Sequence, residues 1–137
     1  MSLNSFAFSP DGRRVAATFM APDHDDPKAS GSGVRVWDLA GGKEILQVER
    51  PSSTMHEWSG VAFAPDGARL AMALGYRGSV AAEEREKTVL VLDAASGREV
   101  VTLKAPVNGS YLGWSGGSSL AFSPDGARLT AASGGWD

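Results

Sequence analysis

The sequence contains the same five-residue phrase three times. It reads Phe8-Ser9-Pro10-Asp11-Gly12, then Phe63-Ala64-Pro65-Asp66-Gly67, then Phe122-Ser123-Pro124-Asp125-Gly126, and it returns after 55 and then 59 residues. A second phrase keeps step with the first, because the eleven residues from Val34 to Glu44 match those from Val89 to Glu99. Self-similarity on this scale indicates a chain built from copies of one unit, as in a propeller, a solenoid or an array.

Each copy predicts two β-hairpins. Proline stands at the second position of a type I turn, where its fixed φ fits, and glycine follows where a positive φ is easiest. Short apolar runs flank this turn, and the second phrase adds another pair of runs around a Gly-containing turn. One unit is therefore four strands, A to D. The best helical candidate, Val80 to Lys87, is too short to be stable alone and is interpreted as a loop. We predict an all-β chain.

The order of these phrases resembles the WD40 repeat. Trp37-Asp38 supplies the dipeptide that names the family, Leu92-Asp93 is its weaker counterpart, and the resemblance covers nearly the whole chain. The Gly-His that usually precedes strand A in the family does not occur in this sequence. The resemblance implies a β-propeller whose blades are four-stranded antiparallel meanders.

The predicted units are blade 1 at about residues 3–48, blade 2 at about 59–103 and a half-blade at about 118–137. A propeller needs ~4–8 blades to close. We therefore expect an incomplete propeller, either a fragment of a longer protein or a chain that self-associates through its open blade edges.

The repeat also predicts which residues are equivalent. We expect Phe8, Phe63 and Phe122 to occupy matching buried positions, and Trp37 and Leu92 to do the same. The full set of structural repeat positions is Phe8, Asp11, Gly12, Trp37, Asp38, Phe63, Asp66, Gly67, Leu92, Asp93, Phe122, Asp125 and Gly126.

Composition narrows the function classes. The 13 basic and 16 acidic residues give a net charge of −3, so the chain has no basic footprint for nucleic acid. It has no cysteine, and no apolar run approaches the ~20 residues that span a bilayer. No signal peptide precedes the first predicted strand. We therefore expect no nucleic-acid or membrane partner and a cytoplasmic location.

Two short motifs have a possible chemical meaning. Asp23-His24-Asp25-Asp26 groups potential metal ligands, but the flanking prolines favour a solvated acidic loop. Gly113-Trp114-Ser115-Gly116-Gly117 fits the letters of a nucleophile elbow, yet it lies before a predicted strand and lacks the required following helix. We predict no catalytic, cofactor or metal site.

These repeats are longer than the usual WD40 repeat of ~40–45 residues, and the additional residues fall in two kinds of loop. The predicted B–C loops cover 20–33 and 75–86, and the predicted D–A loops cover 49–58 and 104–119. In a meander these loops emerge on one side, and function concentrates in loops held by a rigid scaffold. The candidate partner-binding residues on that side are Trp58, Tyr76, Arg77, Tyr111 and Trp114. For the two tryptophans, the simpler interpretation is an aromatic wedge packed where each blade begins.

The sequence therefore predicts a non-catalytic scaffold that binds a protein or peptide partner, as a segment of a larger WD40 propeller protein. One alternative is an accessory propeller domain of a hydrolase or lactonase-like enzyme whose catalytic residues lie elsewhere. Another is a sensor arm of a larger signalling protein.

Overall fold

The computed structural model describes residues 2–21, 31–51, 56–76, 86–106 and 118–133. Within these ranges the chain forms strands and turns and no helix, which confirms the all-β prediction. The strands are β1 (Ser2–Phe8), β2 (Arg14–Ala21), β3 (Gly31–Asp38), β4 (Lys43–Pro51), β5 (His56–Phe63), β6 (Arg69–Tyr76), β7 (Glu86–Asp93), β8 (Glu99–Pro106), β9 (Ser118–Phe122) and β10 (Leu129–Ser133).

The strands form three separate antiparallel sheets. Sheet 1 has the order β1-β2-β3-β4, sheet 2 has the order β5-β6-β7-β8, and sheet 3 pairs β9 with β10. Chain order equals spatial order in sheets 1 and 2. Short turns join the first strand to the second and the third to the fourth, as antiparallel pairing allows.

The register repeats as the sequence does. Phe8 pairs with Val15, Phe63 with Leu70, and Phe122 with Leu129. Bulges recur at matching positions. The first strands have one at Leu3/Ser5 and at Trp58/Gly60, and the fourth strands have one opposite Val36/Trp37 and opposite Val91/Leu92. The sheets are therefore copies in hydrogen bonding as well as in sequence.

The turn between the first two strands is the same in every sheet. In sheet 1 the Gly12 N–H donates to the Ser9 carbonyl at 2.9 Å and closes the turn around Pro10. Gly12, Gly67 and Gly126 have φ values of +72°, +72° and +73°. A side chain is unfavourable at such a φ, so the predicted role of this glycine is confirmed.

The sheets pack face to face in sequence order. The main core, between sheets 1 and 2, combines small residues of sheet 1 with larger ones of sheet 2: Ala16, Val34, Val36, Val61, Phe63, Leu70, Met72, Leu90, Leu92 and Ala94. A second cluster joins sheets 2 and 3 through Ala71, Ala73, Val89 and Val91, packed against Leu120, Phe122 and Leu129. β5 contacts β1 and β2 on one side and β9 on the other.

Residues at equivalent positions of the three sheets are not equally buried. Phe63 is 8% exposed because it packs on sheet 1, and Phe122 is half-buried against sheet 2. Phe8 is 68% exposed, so the expectation that it is buried is wrong. It lies on the face of sheet 1 turned away from sheet 2, and no described residue forms a sheet against that face. Trp37 shares this face and is half-buried, whereas its counterpart Leu92 is fully buried.

The strands also extend further than predicted. β4 continues to Pro51 and β5 begins at His56, so much of the predicted loop at 49–58 is strand. Glu86 and Lys87, which end the short helical candidate, begin β7, and residues 80–85 of that candidate lie outside the described residues. Part of the excess length of each repeat is therefore strand.

Candidate interaction surface

Each sheet has two ends, which differ in the turns and strand termini found there. The turn end carries the Pro-Asp-Gly turns and the turns between the third and fourth strands. At the opposite end, here called the loop end, the first and third strands begin and the second and fourth strands end. The loop end of sheet 2 is marked by the pairs His56–Tyr76 and Glu86–Pro106.

Two of the five candidate residues have a described backbone. Tyr76 is the last residue of β6 and pairs with His56, so it lies at the loop end. Trp58 lies within β5 and pairs with Leu74, two pairs further into the sheet. The loop position predicted for Trp58 is therefore wrong, because β5 extends to His56. Arg77, Tyr111 and Trp114 lie outside the described residues.

Trp58 stands beside a β-bulge that the repeat preserves. Its counterpart in β1 is Leu3, which also lies at the bulge and is 41% exposed. A bulge inserts an extra residue, bends the strand and redirects the neighbouring side chain. Trp58 and Leu3 therefore occupy equivalent backbone positions in the first strands of sheets 2 and 1.

At the turn end, aspartates hold the turns together. In sheet 1 the Ser9 hydroxyl donates to Asp11 Oδ1 at 2.6 Å and the Arg13 N–H donates to the same oxygen at 3.0 Å. The hydroxyl oxygen of Ser9, Oγ, in turn accepts a hydrogen bond from the Arg14 N–H at 2.9 Å. The pKa of Asp11 lies below its ordinary value, mainly because of the Ser9 hydroxyl and next because of the Arg13 N–H.

Sheet 3 repeats this network and sheet 2 varies it. Ser123 donates to Asp125 at 2.5 Å, and this bond is the main reason that the pKa of Asp125 is lowered. In sheet 2, Ala64 replaces the serine, and the Asp66 carboxylate accepts only the Ala68 N–H, at 2.9 Å, among the bonds seen in the described turn. The turn keeps its shape in all three sheets, so the serine hydroxyl is not essential to it.

The turn between β7 and β8 uses an aspartate in the same way. Asp93 Oδ1 accepts the N–H and the hydroxyl of Ser96 at 2.8 and 3.0 Å, and the Ala95 N–H at 3.0 Å. These bonds, led by the Ser96 N–H, lower the pKa of Asp93. In sheet 1, Asp38 accepts the Ala40 N–H at 3.2 Å. These carboxylates therefore act as structural caps of their turns.

One residue that the sequence analysis did not single out joins two sheets. The Arg14 guanidinium of sheet 1 lies over the Phe63 ring, 5.1 Å from its centroid, and its Nη2 donates to the Gly67 carbonyl at 2.8 Å. The sequence contained a signal for this residue, because an arginine recurs six residues after the phenylalanine of each five-residue phrase, at Arg14, Arg69 and Arg128. Arg14 fixes the turn of sheet 2 against sheet 1.

The free face of sheet 1 carries a second arginine–aromatic pair. The Arg35 guanidinium lies 5.0 Å from the centroid of the Phe19 ring, and its Nη1 lies 3.9 Å from Glu44 Oε2. Phe6, at 60% exposure, and Phe8 lie on the same face. On the other face, the hydroxyls of Thr18 and Ser32 are buried without a hydrogen-bond partner among the described residues.

Sites of other kinds are not seen in the described ranges. They contain no group of three or more His, Cys, Asp or Glu side chains placed to hold a metal ion. Asp23, His24, Asp25 and Asp26 lie outside those ranges. No helix among the described residues is long and apolar enough to cross a membrane.

Comparison with known proteins gives a structural likeness only. No protein-family model matches the chain, and no curated protein matches it. Among solved structures, the chain resembles "Kuenenia stuttgartiensis Hydrazine Synthase" with a TM-score of 0.57 and 18% sequence identity. The match covers 92% of this chain and 35% of that chain. At this identity the likeness concerns the fold alone.

Proposed function

We propose that this chain is a segment of a WD40-type β-propeller and serves as a non-catalytic scaffold that binds a protein or peptide partner. The observation that carries the proposal is that register and turns repeat in three sheets that pack face to face, and that the bulges repeat in sheets 1 and 2. Four-stranded antiparallel sheets arranged in this way are typical of propeller blades.

The manner of packing supports the propeller. β5 contacts β1 on one side and β9 on the other, so the first strands of the three sheets are neighbours. In a propeller, the blades surround a central channel, and one edge strand of each blade lies nearest to it. Under this proposal β1, β5 and β9 are those innermost strands.

The loop end is the proposed partner-binding face. The turn-end aspartates and glycines are used by the turns themselves, whereas Tyr76 lies where β6 leaves the sheet and Arg77 follows it. Tyr, Trp and Arg are enriched among residues that dominate binding energy. The proposed contact set remains Trp58, Tyr76, Arg77, Tyr111 and Trp114.

The test compares the two ends of the sheets. Affinity capture from the native host with the tagged wild-type chain first identifies a partner, and its affinity for purified variants is then measured. Tyr76→Ala and Arg77→Ala should each weaken binding by about 30-fold, the equivalent of ~2 kcal/mol. The proposal requires an unchanged thermal melt, because it assigns both side chains to the partner and not to the core.

The matched control is Asp66→Ala, which changes the turn end of the same sheet. It should leave partner affinity unchanged. The opposite result, with binding lost in Asp66→Ala and retained in both loop-end variants, would show that the partner uses the turn end.

A further inference from the structure

The turn of sheet 2 lacks the serine that secures the equivalent turns of sheets 1 and 3. In those sheets the Ser9 and Ser123 hydroxyls donate to the turn aspartate, and their oxygens accept the N–H of the arginine five residues later, at 2.9 Å in both. Ala64 stands at this position in sheet 2, and Asp66 accepts only the Ala68 N–H among the bonds of the described turn. The carboxylate of Asp66 is therefore held by fewer bonds than those of the other two turns.

Arg14 of sheet 1 holds the turn of sheet 2 from outside. Its Nη2 donates to the Gly67 carbonyl at 2.8 Å, and its guanidinium lies over the Phe63 ring, 5.1 Å from the centroid. A Cβ built on Gly67 would lie 2.8 Å from this Nη2, whereas one built on Gly12 would meet no described atom within 4 Å. Gly67 is accordingly buried, and Gly12 is exposed. The turn without a serine is thus covered by an arginine of the neighbouring sheet.

An aspartate followed by a glycine can react within its own main chain. The glycine nitrogen attacks the aspartate Cγ, an N–Cγ bond forms, and the hydroxyl of the carboxylic acid leaves with the amide hydrogen as water. Glycine favours this step because it has no Cβ to hinder the approach. Water then opens the succinimide ring. Attack at Cγ restores aspartate, whereas attack at the main-chain carbonyl gives isoaspartate, in which the chain continues through Cβ and Cγ.

We propose that Asp66 and Gly67 form a site of isoaspartate formation, and that Arg14 protects it while sheets 1 and 2 are packed together. The reaction requires the Gly67 nitrogen to leave the turn, where its N–H donates to the Ala64 carbonyl at 2.8 Å, and to reach the Asp66 Cγ. The turn angles must change for this approach, and the bond from Arg14 to the Gly67 carbonyl resists that change. A hydrogen bond from a charged donor is stronger than one between neutral groups.

Serine protects the other two turns in a different way. The Ser9 hydroxyl lowers the pKa of Asp11 and so reduces the fraction of carboxylic acid, which is the form that loses water, and Ser123 does the same for Asp125. Each hydroxyl oxygen also accepts a main-chain N–H from the residue that begins or precedes the next strand. Protection in sheets 1 and 3 is therefore local, whereas protection in sheet 2 comes from the neighbouring sheet.

Conversion at Asp66 weakens the packing that had prevented it. The isoaspartate linkage adds a carbon atom to the main chain of the turn, so the Gly67 carbonyl no longer lies where Arg14 donates to it. Each separation of sheets 1 and 2 exposes the site, and each conversion makes that separation lasting. This chemistry is independent of partner binding at the loop end, since it uses only contacts between sheets 1 and 2.

The experiment follows conversion in the full chain during incubation at mildly acidic pH, below the melting temperature. Trypsin separates the three aspartates that precede glycine, because they fall in the peptides 1–13, 44–69 and 105–128. Isoaspartate leaves the mass of a peptide unchanged and alters its chromatographic retention, and an isoaspartyl methyltransferase labels it. Conversion at the three sites is thus measured in the same molecule, with Asp125 as the internal reference.

In the wild type, Asp66 should convert no faster than Asp11 or Asp125. Arg14→Gln should raise the rate at Asp66 about tenfold and leave that at Asp125 unchanged, since a hydrogen bond from a charged group is lost. The matched control Arg13→Gln removes the same charge from the neighbouring residue. It should leave the rate at Asp66 unchanged, because Arg14 makes the contact with this turn.

A serine should be able to replace the arginine. The double variant Arg14→Gln, Ala64→Ser should return the rate at Asp66 to that of the wild type. If Arg14→Gln does not fold, Arg14→Lys, which keeps the charge but not the planar fork of donors, should still raise the rate at Asp66 above that at Asp125. The proposal is overturned if Asp66 already converts faster than the other two sites in the wild type, if loss of Arg14 raises all three rates equally or none, or if Ala64→Ser has no effect.

Discussion

Substitution of Phe63 and of Phe8 by alanine should have very different effects, although the two residues occupy the same position of the repeat. A phenylalanine presents ~200 Å² of surface, and burial stabilises by ~25 cal/mol per Å². With 8% exposure for Phe63 and 68% for Phe8, the expected losses are about 4–5 and about 1–2 kcal/mol. Phe63→Ala also leaves a cavity between sheets 1 and 2 and removes the ring beneath Arg14.

The assay is urea denaturation followed by tryptophan fluorescence, with Phe63→Leu as an intermediate case. Phe63→Leu keeps most of the volume and should cost less than ~1.5 kcal/mol. If Phe63→Ala prevents folding, the difference between Phe63→Leu and Phe8→Leu still measures the asymmetry. Equal losses for Phe8→Ala and Phe63→Ala would refute the reasoning, because they would require Phe8 to be covered as Phe63 is.

Two further predictions concern the turns. Gly42→Ala should lower the free energy of unfolding by ~1–2 kcal/mol, because its φ is +64°. Gly97→Ala, at +74°, should lower it by ~1–3 kcal/mol more, because its new Cβ would meet Val48. Equal losses in denaturant melts would contradict the packing of this turn on sheet 1. Ser9→Ala should raise the pKa of Asp11 toward its ordinary value and leave that of Asp125 unchanged in an NMR titration of the carboxyl carbons. Since the folded pKa of Asp11 is lowered, its stabilising contribution is complete above pH ~4 and is lost as pH falls through the folded value, and this acid sensitivity should diminish in Ser9→Ala.

The hairpins and their turns could be predicted from the sequence because their determinants are local. Proline at the second turn position and glycine at the fourth fix backbone angles without help from distant residues. The Pro-Asp-Gly phrase therefore predicted both the turn and the hairpin that it joins. The extent of the strands was less accessible, since Pro51 and His56 carry no signal of strand formation, and their main chains are ordered by pairing with neighbouring strands.

Burial could not be predicted from position in the repeat. Phe8 and Phe63 occupy the same position of the phrase, precede the same kind of turn and pair with an apolar residue, yet they differ in what packs against them. Packing between sheets is a relation between copies, and among the described residues sheet 1 packs against another sheet on one face only. The same reasoning explains why Val101 and Leu103 of β8 are exposed while Leu46 and Val48, at the equivalent positions of β4, are partly buried.

The three copies within one chain also indicate where function is free to vary. At the turn end, each copy repeats the proline, the aspartate and the positive-φ glycine, because the turn requires them. The segments 22–30 and 77–85, which follow the second strands of sheets 1 and 2, share no such phrase, whereas Trp58-Ser59-Gly60 recurs as Trp114-Ser115-Gly116. Residues that the fold requires must recur in every copy, whereas residues that bind a partner need occur only where the partner lies. A partner-binding surface is therefore expected among the parts of the repeat that its copies do not share, which at the loop end are the segments after the second strands, where Tyr76 and Arg77 lie in the sequence, rather than the recurring Trp58 and Trp114.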